Sequence, residues 1–226
     1  MNYTQLSDAI QAYTENTEAN FIAEIPVFVQ QAEQRIYNSV QFPSLRKNVY
    51  GQVTADNKYL QCPTDFLAVY SIAIVTDVTG TDMNTGTYEY LLNKDVNFIR
   101  QAYPTPDDTG VPRYYALFGP RSTNVDELTF ILGPTPDQSY WTELHYYYYP
   151  PSITQSPYTS WLGDNFDSVL LYGSLVEAYT YMKGETDMMQ LYNTKFMEAL
   201  ALAKRLGDGM ERQDAYRSGQ FRQKVT

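Results

Sequence analysis

The sequence predicts an α+β protein: a helical body with a long C-terminal antiparallel helix pair, a β-rich middle region and an extended C-terminal arm. Three observations carry that prediction. Eleven of the twelve prolines fall between Pro43 and Pro157, the twelfth being Pro26. Proline lacks a backbone donor and is unwelcome inside helices, so only the flanks are free to form long ones. Both flanks repeat apolar residues at the 3.6-residue helical period. The middle consists of short runs rich in β-branched and aromatic residues, separated by turn residues. The 226 residues then divide into N-terminal helices of the body (1–41), a β-rich region with long loops (42–157), a helical hairpin completing the body (158–206) and the arm (207–226).

The first helix is expected over Tyr3 to Tyr13, with Thr4 as a fair cap and Leu6, Ala9, Ile10 and Tyr13 at helical spacing. The polar run Glu15-Asn16-Thr17-Glu18 breaks it. Pro26 suits the first turn of a second helix, whose stripe is Ile25, Phe28, Val29, Ala32, Ile36 and Val40, with Glu33 and Arg35 off the stripe. In the middle, Val49 to Thr54 and Lys58 to Cys62 flank Asp56-Asn57, a plausible hairpin turn. Phe66 to Thr76, Pro112 to Gly119, Glu127 to Leu132 and Trp141 to Tyr149 read as further strands, and Asn93 to Tyr103 as a helical insert. Thr79 to Thr87 and Pro104 to Val111 are long polar loops, a type often functional or ordered by partners. Phe166 to Lys183 and Glu185 to Leu206 are two strong helical segments meeting at Lys183-Gly184-Glu185, a connection short enough for an antiparallel hairpin. Asp164 or Asn165 can cap the first, and Gly207 ends the second.

Composition excludes several classes. The net charge is −10 and the pI about 4.5, which argues against a surface built to grip DNA. One cysteine, Cys62, removes any disulfide framework. One histidine, His145, removes most metal cages, which need about three or four ligands. These two lie 83 positions apart, so a Cys–His pair has little support. The longest apolar run, Phe66 to Val75, falls short of the ~18 residues of a membrane helix. Met1-Asn2-Tyr3 opens no secretory signal. A soluble protein of a reducing compartment is expected, with no cofactor, no metal and no membrane.

Motifs for chemistry are missing. The sequence has no phosphate loop, G-x-G-x-x-G, G-x-S-x-G or H-E-x-x-H. Asp107-Asp108, Asp126-Glu127 and Asp164/Asp167 are the carboxylate pairs a glycosidase could use, though adjacent loop acids are usually solvated. The 22 tyrosines could line a sugar groove, or fill strand faces and protein interfaces. In Tyr146-Tyr147-Tyr148-Tyr149, strand alternation puts Tyr146 and Tyr148 on one face and the other two opposite. His145 reads as a structural strand residue and Cys62 as a small buried hydrophobe. The arm carries Met210, Tyr216 and Phe221 as apolar anchors, with Arg212, Arg217 and Arg222 at intervals of five, a spacing that keeps no constant face. Its net charge is +1, against −11 for residues 1–206. Such a segment is disordered alone and able to order on a partner.

Three stretches resemble the head-to-tail adaptors of short-tailed bacteriophages, also called tail tubular protein A. They are Phe21-Ile22-Ala23-Glu24-Ile25-Pro26 running into Ala32-Glu33-Gln34-Arg35-Ile36; Pro63-Thr64-Asp65-Phe66-Leu67; and Trp161-Leu162 followed by Leu170-Leu171-Tyr172-Gly173-Ser174-Leu175-Val176-Glu177-Ala178. The resemblance implies a structural virion protein rather than an enzyme. It implies a ring, twelve-fold in this family, beneath the portal protein, assembled in the host cytoplasm and joining the capsid to the tail nozzle or tube. The helical part would form the ring body and the β-rich part would meet the tail. The arm, with Met210, Arg212, Tyr216, Arg217, Phe221 and Arg222, would engage the portal. Double-stranded DNA would pass without sequence-specific binding. The acidic composition fits independently, because basic surfaces hold DNA by counterion release and a conduit should not hold it. A tail terminator, another capsid-binding module, and a carbohydrate-binding or carbohydrate-degrading domain are the alternatives.

Overall fold

The computed structural model describes residues 1–40, 42–105, 107–119 and 128–217. The chain runs α1 (Tyr3–Thr14), α2 (Ala19–Ser39), β1 (Arg46–Val53), β2 (Tyr59–Gln61), β3 (Ala68–Thr76), β4 (Thr87–Tyr90), β5 (Leu92–Asn93), α3 (Val96–Ala102), β6 (Thr109–Gly110), β7 (Tyr114–Phe118), β8 (Thr129–Gly133), β9 (Thr135–Pro136), β10 (Tyr140–Tyr147), α4 (Trp161–Asn165), α5 (Asp167–Met182) and α6 (Thr186–Arg217). It is α+β with a C-terminal helix pair, as the sequence predicts. It forms two compact units: a helical one from Met1–Leu45 with Tyr149–Thr226, and a β-rich one from Arg46–Tyr148.

In the helical unit, α5 packs against α1, α2 and α6. Leu6, Ile10, Ile25, Val29, Ala32, Ile36, Leu170, Leu175 and Phe196 are fully buried there, at the helical spacings the sequence shows. Details at the helix ends differ from expectation. Asn2, not Thr4, caps α1: its side chain accepts from the Gln5 amide while the Gln5 side chain accepts from the Asn2 amide, a capping box. α2 begins seven residues before Pro26, which therefore lies inside it. An interior proline costs about 3 kcal/mol; burial of Phe21 and Ile25 holds the preceding turns in the helix against it. Neither Asp164 nor Asn165 caps α5. Ser160 instead caps the short α4, through its Oγ and the Gly163 amide. The last helix does not stop at Gly207. It continues through Gly207 and Gly209 to Arg217, an interior glycine costing only ~1 kcal/mol relative to alanine.

The β-rich unit packs two four-stranded sheets, ordered β1-β10-β3-β4 and β2-β8-β7-β5, with a small parallel pair β6-β9. Ile72, Ile74, Leu144 and Tyr146 from the first sheet share a core with Tyr115, Phe130 and Leu132 from the second. α3 covers the other face of the second sheet through Ile99 against Ala116 and Ile131. The hairpin expected around Asp56-Asn57 does not form. β1 pairs with β10 and β2 with β8, so that turn carries the chain from one sheet to the other. Asn57 Oδ1 accepts locally from the Tyr59 amide, while the Asp56 amide donates to the Pro136 carbonyl, which ties the turn to a long-range partner. In β10 the side chains alternate: Tyr140, Thr142, Leu144 and Tyr146 are buried, and on the other face Trp141, His145 and Tyr147 are half-buried while Glu143 is buried as well. A register shift between His145 and Tyr146 against β3 marks a β-bulge.

Candidate functional site

The residues that carry the family resemblance occupy the structural nodes of both units. Ala32 of α2 and Gly173 of α5 meet with Phe196 of α6. A Cβ on Gly173 would lie 3.0 Å from the Phe196 ring and 3.2 Å from the Ala32 methyl. Arg35, one turn further along α2, lies 4.8 Å over the same Phe196 ring and 3.9 Å from the Glu177 carboxylate. Glu33, expected off the apolar stripe, is itself buried. It is 3% exposed and Oε1 accepts from the Ile153 amide at 3.0 Å. That contact ties the segment after the β-rich region to α2. Burial pushes the Glu33 carboxyl above its ordinary range, against the lowering effect of the Ile153 and Ser152 hydrogen bonds.

Asp65 plays the equivalent part in the β-rich unit. Oδ1 accepts from the Tyr146 hydroxyl at 2.8 Å and Oδ2 from Lys47 Nζ at 2.8 Å. Burial alone would raise its pKa, but the hydrogen bonds from Lys47 and Tyr146 and the Lys47 charge carry it below the ordinary value. Phe66 beside it packs between the rings of Phe130 and Tyr146. These stretches therefore hold the scaffold.

The exposed features lie elsewhere. Along α6, Tyr192, Phe196 and Ala203 are buried. A neighbouring stripe at spacings of four, three, four and four carries Leu191, Lys195, Glu198, Leu202 and Leu206. Its leucines are 48%, 64% and 48% exposed, and Lys195 pairs with Glu198 at 3.2 Å. Of the arm residues, Met210, Arg212, Tyr216 and Arg217 fall in the last turns of α6; Phe221 and Arg222 lie outside the described residues.

Among the described residues the chemistry the sequence allowed for is not assembled. Cys62 is in the core of the β-rich unit, its thiol pushed up to about 12 by burial, whereas His145 stands on the outward side of β10. Asp107, Asp164 and Asp167 are exposed; the pair Asp126-Glu127 lies outside the described residues. The structure does bring together a constellation no sequence motif signalled. On the outer face of the first sheet, His145 Nδ1 is 3.4 Å from Ser71 Oγ, and His145 Nε2 is 3.7 Å from Glu143 Oε1. Asn48 Nδ2 donates to the same Oε1 at 3.4 Å. Only cross-strand register groups these residues: Asn48 opposes His145, which opposes Ser71. The spacings exceed those of a working nucleophile–base pair, about 2.6–3.2 Å. Ser71 also sits within a strand rather than at the sharp strand-to-helix turn that exposes a catalytic serine. Among the described residues no group of three or more His, Cys, Asp or Glu is placed to hold a metal ion. No helix among them is long and apolar enough to cross a membrane.

The two units are held by buried nodes, and the longest helix carries exposed leucines. The chain matches the family model of the SU10 adaptor protein over residues 1–223 and belongs to that family, consistent with a phage head-to-tail adaptor. Membership implies a structural role in the virion neck and interaction with portal and tail proteins. No curated protein matches the chain.

Proposed function

We propose that the protein is a head-to-tail adaptor that closes into a ring, in this family a dodecamer, under the portal and continues the DNA channel toward the tail. The observation that carries this reading is the leucine stripe of α6. Three large aliphatic side chains about half or more exposed, on one side of a helix of 32 residues or about 48 Å, with the Lys195–Glu198 pair between them, are surface that a neighbouring copy can bury. Seated on a neighbouring copy, such a stripe makes a heterologous contact, which must close into a ring or run on as a filament.

The end of α6 and the residues beyond it engage the portal in this reading, through Met210, Arg212, Tyr216, Arg217, Phe221 and Arg222. The β-rich unit faces the tail nozzle or tube. DNA passes without being gripped, since the acidic body offers no counterion release. The protein acts by shape and adhesion, without catalysis, after assembly in the host cytoplasm. Light scattering and negative-stain imaging of the purified chain, alone and mixed with its portal, test this. The chain alone should be a monomer and the mixture should show rings on the portal. A mixture in which the chain stays monomeric and unbound contradicts the proposal.

A further inference from the structure

The outer face of sheet β1-β10-β3-β4 carries an arrangement that lies outside the core shared by the two sheets. We propose that it is a carbohydrate-binding platform for an unbranched neutral saccharide, with aromatic rings flanking a polar centre. In one cross-strand row, Tyr50, Glu143, Ala73 and Tyr90 stand side by side on four strands. The next row on the same face holds Trp141 and Tyr88 on either side of Val75. Tyr50 and Tyr90 are 50% and 63% exposed and three strand spacings apart, about 14 Å at ~4.8 Å each. An oligosaccharide of a few residues bridges that distance.

The polar centre selects the ligand. Glu143 is only 9% exposed although it points away from the sandwich core. Asn48 donates to it and His145 stands beside it. The cores of protein interfaces are depleted in acidic residues, because a desolvated carboxylate facing an apolar partner is costly. A sugar differs. One side of a pyranose is a sheet of C–H bonds that lies against an aromatic ring, and its rim is a row of hydroxyls that donate to a carboxylate and accept from an amide or imidazole. The fixed negative charge at the centre disfavours an acidic saccharide.

A second observation extends the platform. Beside Trp141 the face opens into a cavity of about 320 Å³ whose polar lining includes Thr76, Asp77, Gln138 and Ser139. That is within the usual range of small-ligand sites, ~300–1,000 Å³. Trp141 is shared between face and cavity, so one chain can run from the cavity across the tyrosines.

The test is calorimetric titration of the full-length protein with malto-, cello-, laminari- and chito-hexaose, with tryptophan emission followed in parallel. At least one should bind saturably and shift the emission. Tyr90→Ala, at a site too exposed to threaten folding, and Glu143→Gln, which keeps one acceptor oxygen, should each weaken binding at least tenfold with unchanged far-ultraviolet circular dichroism. Tyr181→Ala, a comparably exposed ring in the helical unit, should leave binding intact. The proposal is overturned if no hexaose binds, or if binding survives Tyr90→Ala and Glu143→Gln. It is equally overturned if those two substitutions abolish ring formation on the portal, which would make the face a protein contact.

Discussion

Gly173→Ala probes the tightest contact of the helical unit. Alanine is ordinarily the better helix former, by ~1 kcal/mol, so at an open helical site the change stabilises. Here the new methyl would lie 3.0 Å from the Phe196 ring and 3.2 Å from the Ala32 methyl, several tenths of an ångström inside normal contact. Neither neighbour can retreat, because Ala32 and Phe196 are both 0% exposed. Overpacking of this kind costs about 1–3 kcal/mol. Subtracting the propensity gain leaves a net loss of about 1 kcal/mol, equivalent to a fall of ~2–4 °C in Tm for a chain of this size. Thermal unfolding followed by circular dichroism at 222 nm measures it. In a Phe196→Leu background the methyl meets a smaller and more adaptable neighbour, and the penalty should shrink by at least ~0.5 kcal/mol, the coupling expected of touching residues. If Gly173→Ala raises the Tm of the otherwise unaltered protein, the helices do not meet at this glycine and the reasoning is wrong.

Other outcomes follow from the carboxylates of Glu33 and Asp65 and from the surface. Glu33 has a raised folded-state pKa, so its contribution is fully favourable below its unfolded value and is lost as pH rises through the folded one. Glu33→Gln should therefore match the parent in acid and exceed it in stability at pH 8, as read by urea unfolding at both pH values. Glu33→Ala, which leaves the buried Ile153 amide unpaired, should cost about 1–3 kcal/mol. Asp65 has the opposite sign: its lowered pKa gives stability present above the unfolded value and lost as pH falls through the folded one. Asp65→Ala should remove that acid dependence and cost about 1–3 kcal/mol at neutral pH by orphaning the buried Tyr146 hydroxyl, measured by denaturant unfolding. Leu202→Glu, at a 64% exposed position, should leave the Tm within ~0.5 kcal/mol-equivalent of the parent yet prevent rings from forming on the portal in electron micrographs.

The helical unit was legible in the sequence because its signal is local. Periodicity over α2, α5 and α6 names the buried stripe, and a single helix turn decides which residues share it. What escaped were features that depend on partners far along the chain. Pro26 reads as a helix start until Phe21 and Ile25 are seen to be buried on its N-terminal side. Glu33 reads as lying off the buried stripe until Ile153, 120 positions away, supplies its donor. Asp56-Asn57 has hairpin chemistry, yet Pro136 captures the turn. The outer sheet face is the extreme case. Asn48, Ser71, Glu143 and His145 come from three strands with no motif, and only the register of β1, β10 and β3 unites them. The resemblance stretches were informative because Ala32, Gly173 and Asp65 are where packing and hydrogen bonding are tightest.

The central claim is that this chain works by assembling on the portal, through the end of α6 and the residues that follow it. Removing residues 207–226 and imaging the product mixed with portal-bearing capsids tests it directly. The account predicts a folded, soluble monomer with unchanged helix content in the 186–206 stretch that no longer docks. A truncated chain that still seats normally as a ring on the portal would contradict it.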